Sequence, residues 1–416
     1  MDVDPPADLE GKTGPDSKGK SRFLYENAAD IMCRASRYWA SIVPSGTSWH
    51  LDTNKVLKVH FDLQEGQGVN AHYDRKKGLV CYGQTVCGIR VYAGESPSLI
   101  SHELGHAVLD AVRPDLFDAH MREIDAFHEA FGDISALLTG LQIDSLRNAV
   151  LAETDGQIHQ SSQVSRFGEQ AGWAYRQMLP YCVEMDCMRN LANCFTYQPI
   201  STLPLETPMA ASISRNPHSF CRVFSGAFLR FLAGVYNENK RMDSEGLKKA
   251  SEVAGEILMA GARTANITQA FFPEVAAHMI DADKAIYGGK YEESLKDAFE
   301  RHEIPYTRET KPGPAPPGKR NLIAMWILGA KYGLAEDFAV LIPAESHSRR
   351  KMKRSAAAKE AESFVEDLFL RGKVEVGEMD QRGKARGMGP QGAHKTHQII
   401  RDQKTGLLRF TRRYFD

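Results

Sequence analysis

Residues 102–106 read His-Glu-Leu-Gly-His, inside a run whose apolar spacing fits a helix. Ile100, Leu104, Val108 and Ala111 recur at helical intervals. Ser96 offers a capping hydroxyl, and Pro97 stands at the first helical position, where its missing N–H is no loss; Pro114 closes the segment. Four residues apart, His102 and His106 lie about one turn apart on one helical face, as two ligands of a single metal ion must. Neutral imidazole is a good zinc ligand, and three protein ligands plus water is the catalytic zinc pattern. Glu103 directly follows the first histidine and is placed to take the proton of a metal-bound water. The competing reading is a buried helix whose two histidines bond to the backbone. Against it, a chain with this histidine content carries only roughly 0.03 copies of the pentapeptide pattern by chance.

A third ligand is offered by the next predicted helix, about Glu123 to Leu141, whose apolar stripe is Ile124, Phe127, Phe131, Ile134 and Leu138. Glu129 and Asp133 share the opposite face, beside the small residues Ala126, Ala130, Gly132 and Ala136. Small neighbours allow two helices to approach closely, so a carboxylate can reach the histidine pair. Alone, Glu129 reads as part of a solvated face; after a His-Glu-Leu-Gly-His helix it reads as a ligand, with Asp133 accepting a bond from a ligand imidazole.

These segments together resemble the thermolysin-like gluzincin metallopeptidases. In that family two histidines and a glutamate of a downstream helix bind zinc. The resemblance assigns His102, His106 and Glu129 as zinc ligands, Glu103 as general base and Asp133 as the group behind a ligand histidine. Two further segments agree. Asn-Ala-His-Tyr-Asp (70–74) resembles the family's edge strand, which implies that Asn70 and Ala71 hold the peptide substrate. Asn-Pro-His (216–218), before a long apolar run, resembles the segment with the second active-site histidine, here His218; otherwise His218 caps that helix. The resemblance covers about residues 55 to 303. It implies an α+β fold with a β-rich N-terminal lobe, an active-site helix and a mostly helical C-terminal lobe.

The chain also departs from the family. Phe117 stands where a tyrosine is expected to donate to the oxyanion, so His218 is expected to carry more of that load, unless a Tyr or Arg from 143–215 supplies the donor. An aspartate orienting the late histidine is not evident, nor are acid-dense calcium loops.

The remaining organisation follows from local pattern. Strand-like stretches run from about Lys55 to Tyr92, with a turn at 75–78, and further helices are expected near 219–237, 245–263, 269–286 and 292–302. Residues 143–215 give a mixed signal. The expected divisions are a disordered lead-in (1–22), a β-rich lobe (23–112), a helical lobe (113–308), a Pro/Gly linker (309–319) and a small α/β extension (320–416). The extension carries one amphipathic helix, about Ala356 to Leu370, and a hairpin over 397–415. The basic run 348–354 reads as a solvated loop.

A net charge of −1 argues against a nucleic-acid binder working through a broad positive field. The longest apolar run, Val223 to Tyr236, is shorter than the ~18 residues a membrane span needs and contains Arg230. The start lacks an apolar signal region, and seven cysteines, an odd number, suit reduced thiols, so a cytoplasmic protein is expected. The expected partner is a peptide or protein substrate; oligomeric state stays open. The alternatives are a zinc-bearing non-peptidase hydrolase and a weakly catalytic protein acting through its C-terminal segment.

Overall fold

The computed structural model describes residues 22–50, 56–63, 68–181, 183–206, 210, 212–239, 241–307, 322–343, 356–376 and 395–415. Residues 1–21 of the lead-in, the 309–319 linker and the 348–354 basic run lie outside them. The fold mixes helices with small sheets.

Four strands follow the first helix: α1 (Arg22–Ala40), β1 (Val59–Leu63), β2 (Ala71–Asp74), β3 (Gly78–Val86) and β4 (Ile89–Tyr92). The helix α1 was not expected. It buries Leu24, Tyr25, Ala28, Ile31, Met32, Ala35, Tyr38 and Trp39. Trp39 stacks on Phe131 at 5.0 Å and its indole N–H donates to Ser135 Oγ at 2.9 Å.

The histidine motif lies in α2 (Pro97–Val112), where the Ser96 side chain accepts from Leu99 N and Pro97 opens the helix as the sequence predicts. A short α3 (Pro114–Asp118) leads to α4 (Arg122–Gly140). The mixed stretch resolves into α5 (Asp144–Thr154), β5 (Arg166–Phe167), α6 (Glu169–Met178) and β6 (Arg189–Asn190). Then come α7 (Pro217–Asn237), α8 (Ser244–Thr264), α9 (Phe271–Tyr287) and α10 (Glu292–Arg301), within a few residues of the expected ends. Aromatic side chains hold this bundle together: Phe127 meets Phe224 and Phe271 edge-on, each at 5.2 Å, and Phe220 stacks on Phe272 at 5.0 Å. Among the described residues no helix is long and apolar enough to cross a membrane.

The extension holds β7 (Leu322–Ile327), β8 (Phe338–Pro343), α11 (Ala356–Leu370), β9 (Val374–Val376), β10 (His397–Arg401), β11 (Leu408–Arg412) and β12 (Tyr414–Phe415). Five of these strands form a sheet of order β7-β8-β11-β10-β9, with its own buried cluster that includes Phe338, Phe364, Val365 and Phe410.

The expected hairpin is therefore shorter than 397–415. Strands β10 and β11 pair antiparallel from His397↔Arg412 to Arg401↔Leu408, and then the chain leaves that sheet. One residue later β12 pairs antiparallel with β2, Tyr414 opposite Asp74 and Phe415 opposite Tyr73. The N-terminal sheet thus runs β1-β3-β2-β12, and its outer strand comes from the other end of the sequence.

Candidate metal centre

Strand β2 and helix α2 are locked together before the site is reached. The Tyr73 hydroxyl donates to Asp110 at 2.8 Å, and Arg75 forms a two-pronged pair with the same carboxylate. Helices α2 and α4 cross where both chains carry glycine. A Cβ on Gly105 would stand 2.8 Å from Ser135 Cβ, and one on Gly132 would stand 2.5 Å from His102 Nδ1. The missing side chain at Gly132 is what leaves room for the His102 ring against α4. Gly132→Ala is expected to lower metal affinity ~10–100-fold, the usual effect of disturbing a ligand's support. Competition against a chromogenic chelator measures this, and unchanged affinity would show that the ring does not depend on that space.

The structure brings His102, His106 and Glu129 together, all buried, with ligand atoms within 4.8 Å of one another. His102 Nε2 is 3.4 Å from one Glu129 oxygen and His106 Nε2 is 3.6 Å from the other. Tetrahedral zinc with bonds of 2.0–2.2 Å separates its ligand atoms by roughly 3.4 Å, so the spacing fits. The donor set fits as well. His106 Nε2 is buried without a hydrogen-bond partner among the described residues, and Glu129 Oε2 has only the His218 and His102 ring nitrogens at 3.2 and 3.4 Å. Leaving such atoms unmatched is costly unless a cation takes their lone pairs.

Asp133 sits behind His102 as expected, 3.0 Å from Nδ1. A proton on Nδ1 makes that bond and leaves Nε2 as the ligand atom. The carboxylate is held in turn by Arg189, through Nε at 2.9 Å and Nη2 at 2.7 Å. Burial alone would push Asp133 up, but the Arg189 charge and the His102 bond hold it well below the usual carboxylate range. For His102, burial disfavours the charged ring, yet the Asp133 bond and the nearby Glu129 carboxylate prevail and raise it to about 9; a cation bound at Nε2 would take the place of that second proton. His106 is pushed well down by burial and by the neighbouring charges of His102, His128, His218 and Arg189, and so stays neutral, as a ligand must.

Arg189 was missed as a named site residue. Its Nη2 also lies 3.9 Å from Glu129 Oε2, and its guanidinium packs over Phe167 at 4.6 Å. It comes from the two-residue strand β6, inside the stretch whose pattern could not be ordered. A lone arginine there carries no periodic signal.

Glu103 is buried on α2, and its charge adds to the burial that raises the Cys81 thiol on β3. His218 reaches the centre from the first turn of α7, with Nε2 3.2 Å from Glu129 Oε2. It does not cap its helix. The cap is the Asn216 side chain, which accepts from His218 N at 3.0 Å and stands 3.3 Å from His218 Nδ1, the orienting place where no aspartate was found. With 39% of its side chain exposed, His218 borders a cavity of about 170 Å³ shared with Glu129, Arg215, Arg371 and Phe415.

Among the described residues, Phe117 makes no ring contact with the candidate ligands His102 and His106. Its buried ring lies under the Arg75 guanidinium at 3.9 Å and meets Tyr73 and Phe415 edge-on. Asn70 precedes β2, where its carbonyl accepts from Tyr82 N at 2.8 Å, and Ala71 pairs with Cys81. The ring of Phe415 stacks on His106 at 5.0 Å and on His128 at 4.0 Å. No known family model matches the chain, and no curated protein matches it.

Proposed function

We propose that this protein is a zinc-dependent metallopeptidase of the thermolysin-like gluzincin kind. The observation that carries the reading is the buried trio His102 and His106 of α2 and Glu129 of α4, at zinc-ligand spacing, with Glu103 next to the first histidine on α2. Zinc bound there supplies Lewis acidity and an acidic water. Glu103 accepts a proton and returns it to the departing amine, work that a carboxylate does and a structural site does not need. His218 and Arg189, both beside Glu129, would donate N–H bonds to the negative charge that builds on the substrate carbonyl. Arg189 takes the part that Phe117 cannot. The Asn70 side chain and the main-chain edge at Ala71 would hold a peptide.

The test is metal content with turnover. Purified protein is expected to hold about one zinc and to cleave an internally quenched peptide. His106→Ala is expected to lose both, since it removes one of three ligands. Full zinc occupancy in that variant would show that the ligands are assigned wrongly.

A second reading, a hydrolase of small non-peptide substrates, draws on the cavity of about 170 Å³ walled by Phe415. Turnover of a small ester with none of any peptide would favour it.

A further inference from the structure

The β12 segment does what a bound peptide would do. It lies antiparallel on the outer edge of β2 and runs from the Asp74 end towards Ala71. Its side chains fill specific places. Tyr414 stacks on His72 at 4.3 Å, and Phe415 stacks on His106 and His128. Just upstream, Arg412 pairs with buried Asp125 at 2.5 Å and donates to the Phe117 carbonyl. Main-chain pairing of this kind gives affinity, and pockets for the side chains give selectivity. A segment tethered to its own site acts at an effective concentration of the order of millimolar, so a free peptide must displace it.

We propose that β12 occupies the peptide-binding edge of this protein and blocks it, and that the edge selects extended peptides carrying two consecutive aromatic residues. The proposal rests on the peptidase reading for its bearing on turnover; the edge itself is testable by binding alone.

The test uses the full chain with Glu103→Gln as background, so that nothing is cleaved. The probe is a fluorescent, end-capped peptide of the sequence of residues 411–415, read by anisotropy. Adding Phe415→Ala is expected to tighten binding at least ten-fold, and replacing the two aromatic residues of the peptide by alanine to weaken it at least ten-fold. Tyr414→Ala, which leaves Phe415 in place, is the second opening variant should Phe415→Ala melt early. Equal affinity before and after opening, no binding in either state, or equal binding of the alanine peptide would each overturn the proposal. Zinc content and turnover, measured separately with Glu103 restored, report on the peptidase reading: a protein without zinc or turnover that still binds the peptide on opening keeps the edge and loses the enzyme.

Discussion

Glu103→Gln is expected to keep its zinc and to lose peptide hydrolysis by ~10²–10⁴-fold, the usual worth of a positioned general base. The substitution isolates one property. An amide has nearly the shape of the carboxylate, and Glu103 is not among the three candidate ligands, so on the proposed assignment the centre closes as before. The amide cannot take a proton. The loss corresponds to ~2.7–5.5 kcal/mol of transition-state stabilisation and should fall on kcat more than on KM. Steady-state kinetics beside metal analysis decide the matter. Equal turnover by both proteins would remove Glu103 from the chemistry, and loss of zinc in the variant would make the comparison uninformative about the base and point to an error in the ligand set.

Arg122→Ala is expected to destabilise the protein by ~3–5 kcal/mol, because one half of a buried ion pair is removed and the other stays. Arg122 lies on α4, nearly fully buried, and donates to Glu360 of α11 at 2.7 Å and to the Ser363 carbonyl at 2.9 Å. Without it the buried Glu360 carboxyl loses the cation that pairs with it among the described residues. The pair joins the extension to the helix that carries Glu129, so denaturant unfolding should also become less cooperative. Replacing Arg122 and Glu360 together by methionine should recover most of the loss, since the cost lies in the unmatched charge. A drop under ~1 kcal/mol for Arg122→Ala would class the contact with exposed ion pairs, whose worth is small.

The residues of the candidate metal centre were legible where local signals are strong. The motif helix announces itself by apolar period, serine cap and flanking prolines, and the structure starts it at Pro97 and ends it at Val112. Glu129 and Asp133 followed from the same period on α4, and His218 from its place before a long apolar run. What could not be read depends on distant partners. Arg189 meets Asp133 from a two-residue strand in irregular chain, and nothing local marks it. Helix α1 does carry an apolar stripe, but alanines at 28 and 35 dilute it, and its burial is decided by partners such as Ser135 and Phe131 far along the chain. For β12, Arg412 to Phe415 reads as one continuous strand. Only the open edge of β2 decides that it changes sheets after Arg413.

That change of sheets has a kinetic consequence. Arg412 and Asp125 are 287 residues apart, and Tyr414 and Asp74 pair across a still longer separation. Contacts this remote form late, because the loop they close carries a large entropy loss before any pairing repays it. The sheet formed by β1 to β4 should therefore exist for a time with its outer edge bare, and a bare edge is a template for strands of other molecules. Refolding should accordingly show a slow final step, seen as burial of Tyr414 and Phe415, and its yield should fall with protein concentration more steeply when that step is slowed.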